Sequence, residues 1–168
     1  MNVERARTYL NSLPHVVECE QWGGLVYWVG DKAIGGKMFT MIRLERSESQ
    51  VASFAAGPER FAEMVEQEGL LPAPYMARIF WVAAERWDAL RDREWEEAWT
   101  AAHGLTLAKL PAKVQAVFGL SKAARKRLIA ERRTVLAAKD AAEKTAKAQR
   151  SAAKKAARKA ARAGVALK

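Results

Sequence analysis

QWGGLVYWVGDKAIGGKMFTMI, residues 21–42, is the stretch that decides the fold. Leu25, Tyr27 and Val29 alternate with Val26 and Trp28, and after a glycine-rich break Met38, Thr40 and Ile42 alternate with Phe39 and Met41. A period of two is that of a strand, whose side chains point to opposite faces in turn. Gly30, Gly35 and Gly36 supply the positive φ angles that a reversal needs, and Asp31 is a turn former. The two strands are therefore expected to pair as an antiparallel hairpin. Large apolar residues on both faces predict that this hairpin lies inside a sheet covered by helices.

Towards the N-terminus, Ala6, Tyr9, Leu10 and Leu13 recur at helical spacing, so Val3 to Leu13 reads as a helix closed by Pro14, and His15 to Glu20 as a short strand. On the other side, the polar turn Arg46 to Ser49 leads to a strand at Gln50 to Phe54. Gly57 and Pro58 announce a helix with Phe61, Met64 and Val65 on its buried stripe and Gly69 as its cap. Residues 70–75, LLPAPY, are expected to be an irregular extended connection, because two prolines two apart defeat helix and ladder alike. Ile79 to Ala84 returns to a strand. Asp88 is the expected cap of a helix over Ala89 to His103, which turns Trp95, Ala98, Trp99 and Ala102 inward and ends at Gly104. The fold class expected is α+β, an antiparallel sheet flanked by helices, with a globular domain over residues 1–118 and a basic, helical or disordered tail over 119–168.

Charge divides the chain at the same place. Residues 121–168 hold 16 of the 29 Lys and Arg and three acids, a net of +13, so the +10 of the whole chain leaves the first 120 residues at −3. All aromatic residues and all five prolines lie between Tyr9 and Phe118. In the tail, Ser121 can cap a helix, but after Leu136 no large apolar residue occurs before Val165. Ala, Lys and Arg favour helix locally, while Lys154, Lys155, Arg158, Lys159 and Arg162 repel one another at helical spacings. A frayed helix, tightened when its charge is neutralised, is the expectation.

Five segments in order, SLPHVVE (12–18), QWGGLVYWVG (21–30), GGKMF (35–39), LLPAPY followed by FWV (70–75 and 80–82) and AKLPAK (108–113), resemble the MmcQ/YjbR family. The resemblance spans about residues 3–113. It implies a compact α+β domain similar to the frataxin/CyaY fold, in small bacterial proteins usually labelled DNA-binding, and it carries over no catalytic residues. Two departures stand out. GDKAIGG is longer than the usual Gly-Gly-Lys link, so the hairpin tip is expected to protrude as a wing bearing Lys32 and Lys37. Gly104 interrupts the last helix, so a kink or break is expected before Lys109 and Lys113.

The tail segment KTAKAQRSAAKKAARKAARA (144–163) resembles the Ala/Lys-rich tails of bacterial histone-like proteins and linker histones, a likeness of composition. Cations on such a chain displace condensed counterions from a polyanion without reading its sequence. The leading expectation is thus a nucleic-acid-binding protein of low specificity, with double-stranded DNA as partner, in the cytoplasm at the nucleoid. Its candidate contacts are Lys32, Lys37, Lys109 and Lys113 in the body. In the tail they are Lys122, Arg125, Lys126, Arg127, Arg132, Arg133, Lys144, Lys147, Arg150, Lys154, Lys155, Arg158, Lys159 and Arg162. An anionic membrane is disfavoured, since the last thirty residues have no apolar face to insert. The rival reading is a protein-interaction or small-ligand domain with a solubilising or docking tail, which a pocket walled by Trp22, Trp28 and Trp81 would favour.

Other chemistries lack their residues. Cys19 has no second cysteine to pair with, and neither His15 nor His103 is tied to it by a motif, so it reads as a small apolar filler. The two histidines have no acidic partner at metal-ligand spacing, and Glu63, Glu66 and Glu68, like Glu94, Glu96 and Glu97, read as solvated helix faces. KAIGGK lacks the glycine spacing and the Ser or Thr of a phosphate-binding P-loop. No enzyme activity, metal or cofactor is expected. No secretory leader is expected either, because MNVERARTYL carries Glu4, Arg5 and Arg7, and no stretch reaches the roughly 18 to 20 apolar residues of a membrane span.

Overall fold

The structure, a computed structural model, describes residues 1–44 and 50–165, with side chains through residue 151; the turn expected at Arg46 to Ser49 lies outside the described residues. The chain forms two compact units, Met1–Arg125 and Lys126–Lys168. In the first, α1 (Val3–Ser12), β1 (Val16–Gln21), β2 (Gly24–Val29), β3 (Lys37–Arg43), β4 (Ala52–Ala55), α2 (Pro58–Val65), β5 (Leu70–Pro72), β6 (Trp81–Ala84), α3 (Asp92–Ala108) and α4 (Ala112–Phe118) follow in order. The strands make one antiparallel sheet in the order β1-β2-β3-β4-β6-β5. The fold is α+β, as expected.

The β2–β3 hairpin lies inside this sheet, as its second and third strands. Val26 pairs with Met41 and Tyr27 with Thr40, but Trp28 pairs with Met38, so the register slips by one residue. The slip leaves Phe39 without an opposite number. It is fully buried and meets His103 of α3 edge-on at 5.4 Å. The row Tyr27, Thr40, Phe54 and Val82 runs across four strands, and Trp95 of α3 packs edge-on against Phe54 at 6.0 Å. Trp95, Ala98, Trp99 and Ala102 are all buried, with Trp95 and Trp99 in ring contact at 4.9 Å. The Trp95 indole N–H donates to the Trp87 carbonyl at 3.0 Å, so its one polar atom is satisfied inside the core. On the opposite face, Met41 and Ser53 line a pocket together with the irregular segment Ala73–Met76.

Asn2 caps α1 by accepting from the Arg5 amide at 2.9 Å. The helix is then tied to the edge strand β1 through Glu18, which accepts from Arg7 at 2.7 and 3.0 Å, from Asn11 at 2.8 Å and from the buried Tyr27 hydroxyl at 3.1 Å. Burial alone would raise the Glu18 carboxyl, but these hydrogen bonds and the Arg7 charge outweigh it and hold the group below its ordinary value. The Tyr27 hydroxyl moves the other way, pushed up first by burial and then by the Glu18 charge.

Five local expectations are corrected. LLPAPY does contain a strand: Leu70, Leu71 and Pro72 pair with Ala84, Ala83 and Val82 at the sheet edge, the position where a missing proline N–H costs no ladder bond. Helix α2 ends at Val65 with Glu66 as its cap residue, and Gly69, at φ 81°, serves the turn into β5 instead. Strand β6 begins at Trp81, because Ala77–Ile79 form a single 3-10 turn and Phe80 takes a left-handed φ of 62°. Asp88 does not cap α3. It pairs with Arg86 at 3.1 Å, while the helix starts after Arg91, whose amide donates to Glu94 at 2.7 Å. Nor does Gly104 end that helix, which continues unbroken to Ala108. A Cβ at Gly104 would meet nothing within 4 Å, so the residue sits on an open helix face where only backbone entropy disfavours it.

The second unit holds most of α5 (Lys122–Val165), so from Lys122 onward the described tail is one helix.

Candidate nucleic-acid interface

The link between β2 and β3 folds into one 3-10 turn, Lys32–Ile34, capped by the Asp31 side chain accepting from the Ala33 amide at 2.8 Å and released by Gly35 at φ 95°. It is no free wing. A Cβ on Gly35 would lie 3.3 Å from Val114, and one on Gly30 would lie 3.1 Å from Phe118, so the tip rests against α4. The ammonium of Lys37 donates to the carbonyl oxygen of Lys109 at 3.1 Å and so satisfies an orphan carbonyl at the end of α3. Lys113 belongs to α4, and Lys32 lies over the Trp28 ring at 4.9 Å. The four body lysines singled out from the sequence are all exposed, and the elements that carry them touch. Continuity of α3 through Gly104 is what fixes Lys109 and Lys113 there.

Next to this corner, His15 stacks on Phe118 at 4.1 Å with rings 4° from parallel, and Arg125 Nη1 lies 3.4 Å from His15 Nδ1. Burial and then the Arg125 charge hold the imidazole below its usual value, which favours the neutral ring. His103 is buried with Nε2 2.9 Å from the Pro14 carbonyl oxygen, a structural contact. Among the described residues no three His, Cys, Asp or Glu come together as a metal site. No described helix is long and apolar enough to cross a membrane.

Ser121 caps α5, its hydroxyl accepting from the Ala124 amide at 3.3 Å. Helical geometry turns the tail's composition into a pattern. At about 100° per residue, nine of the ten candidate or neighbouring cations between 122 and 150 (Lys122, Arg125, Lys126, Arg132, Arg133, Lys139, Lys144, Lys147 and Arg150) fall within a sector of about 140°. The tenth, Arg127, lies on the other side and pairs with Glu131 at 2.9 Å. Asp140 and Glu143 fall inside the basic sector and offset part of it. From Lys126 to Ser151 every residue but Leu128 and Ile129 is exposed. The side chains of Lys154, Lys155, Arg158, Lys159 and Arg162 lie outside the described ones.

The tryptophans mostly went to the core, Trp81 included, but Trp22 stands 59% exposed in the β1–β2 turn. It lines a pocket of about 340 Å3 with Met38, Met41, Gln50, Tyr75 and Met76, whereas Trp28 and Trp81 do not contribute. Sequence reading passed over Gln50 and Tyr75. One signal was present at the same pocket: a tryptophan before Gly-Gly, in a turn position that favours Asn or Gly.

Comparison with known proteins agrees with this architecture. The crystal structure of Deinococcus radiodurans protein DR2400, with a DUF419 domain, superposes with a TM-score of 0.54 over 73% of this chain and 83% of that one, at 21% identity. At that identity the likeness speaks for the fold alone. Among curated proteins no match was found. The YjbR family model matches residues 11–105, more than half of the chain, from the end of α1 through most of α3. The chain therefore belongs to the YjbR family.

Proposed function

We propose that this protein is a non-enzymatic nucleic-acid-binding protein of low sequence specificity, with double-stranded DNA as its partner at the nucleoid. In this reading the body is a frataxin/CyaY-like domain and α5 is a histone-like arm. The observation that carries it is the one-sided basic stripe of α5. A helix whose cations fall in one sector can lay them along a phosphate backbone, and counterion release then supplies the affinity. Phosphate contacts of this kind orient a protein without specifying bases. The body, at −3 over its first 120 residues, is repelled by a polyanion except at the corner of Lys32, Lys37, Lys109 and Lys113. Removal of residues 126–168, the second compact unit, is expected to weaken duplex binding by orders of magnitude and to flatten its salt dependence. Equal affinity of the truncated and full chains at the same salt contradicts the reading. The rival, a small-ligand or protein-interaction domain, is favoured by the pocket at Trp22; a gel-shift titration of the full chain at two ionic strengths separates the two.

A further inference from the structure

The pocket between β3, β4 and the segment Ala73–Met76 is independent of the basic stripe. Its volume of about 340 Å3 falls within the ~300–1,000 Å3 of small-molecule sites. Two aromatic residues line it while standing in water, Trp22 at 59% and Tyr75 at 99% exposure. Both hold left-handed backbone, φ 54° and 63°, a region that bulky side chains rarely occupy. Neither ring is buried in the core to offset that backbone strain, and two such residues meet at one cavity. Met38, Met41 and Met76 add polarizable sulfur to the walls. Gln50 also lines the pocket. It is only 8% exposed, and its side-chain oxygen has no hydrogen-bond partner, a state that buried amides seldom tolerate.

We infer that this pocket binds a planar heteroaromatic ring with a hydrogen-bond donor beside an acceptor, the pattern of a nucleobase such as adenine. The rings of Trp22 and Tyr75 offer stacking surfaces, which every base can use. The terminal amide of Gln50 carries one acceptor and two donors, and rotation about its last bond presents oxygen and nitrogen together, the pair that matches an adenine edge. Arg43 lines the pocket and anchors its rim by donating to the Trp22 carbonyl at 2.8 Å. Such a ring can come from a free nucleoside or nucleotide, or from an unstacked base of a single strand.

The test uses the full chain at one fixed salt concentration. Adenosine, an oligo-dA strand and an abasic strand of equal length are titrated by calorimetry against the wild type and against Trp22→Asn and Gln50→Leu. Asn suits the left-handed turn, so W22N removes the indole without adding strain. Saturable adenosine binding at millimolar concentration or tighter, lost in both variants, identifies a free nucleoside. If adenosine does not bind but the dA strand outbinds the abasic strand by about tenfold, and the ratio collapses in both variants, the source is a strand. Absence of both effects in the wild type overturns the inference, and so does binding that either folded variant leaves intact. Should Q50L fail to fold, Tyr75→Ala at the exposed rim takes its place.

Discussion

The Lys37 ammonium donates to the Lys109 carbonyl oxygen at 3.1 Å, across 72 residues of sequence, and so joins the hairpin tip to the end of α3. The corner of the body that carries positive charge is therefore a built feature of the packing. Lys37 has two roles there, latch and cation, and Lys113 is placed as a cation only. Lys113→Ala is expected to lower the slope of log affinity against log salt by about one for duplex DNA with an unchanged melting temperature. Lys37→Ala is expected to lower both. Salt titrations and thermal melts of the two variants check this.

Glu18 links α1, β1 and β2 through four hydrogen bonds. Its folded pKa lies below the ordinary value of 4.5, so its stabilisation is fully present above that value and is lost as pH falls through the folded one. Glu18→Gln also leaves the buried Tyr27 hydroxyl with a poorer acceptor. The variant is expected to be less stable than the wild type by about 1–3 kcal/mol at neutral pH, with the gap narrowing below about pH 4.5. Urea melts at several pH values check the sign; a gap that widens in acid contradicts the assignment.

Gly104 lies mid-helix on an exposed face with open space where a Cβ would stand. Gly104→Ala is expected to stabilise the protein by about 0.5–1 kcal/mol. Trp95 is the opposite case, fully buried against Phe54, Trp87 and Trp99. Trp95→Ala is expected to cost about 3–5 kcal/mol. Denaturant unfolding measures both.

Local patterns announced the elements whose causes are local. Alternation from Leu25 to Ile42 was enough for the central hairpin, and helical spacing was enough for the inward set Trp95, Ala98, Trp99 and Ala102. Features set by distant partners were not legible. Pro72 lies in a strand because Val82 stands opposite it at an edge, and Asp88 loses its capping role because Arg86 engages it. Gly104 stays helical because nothing beyond the helix demands an end there. The bulge at Phe39 answers to the space beside His103, which no spacing encodes. In the candidate site, the cations were visible as composition, but their one-sidedness appears only once α5 is taken as a helix. The pocket gathers Trp22, Gln50 and Tyr75 from three separate segments, so no motif could announce it.

The central claim is that the basic face of α5 supplies the affinity for a polyanion. Its most direct test is the salt dependence of duplex binding by the full chain carrying Arg132→Gln, Arg133→Gln, Lys139→Gln, Lys144→Gln and Lys147→Gln. Gln keeps helix propensity, so charge changes while the helix, monitored by circular dichroism, persists. The account predicts that log affinity against log salt becomes shallower by about 4.5, near 0.9 for each of the five lost phosphate contacts, with affinity falling by orders of magnitude at low salt. An unchanged slope and affinity in a helical variant would contradict it.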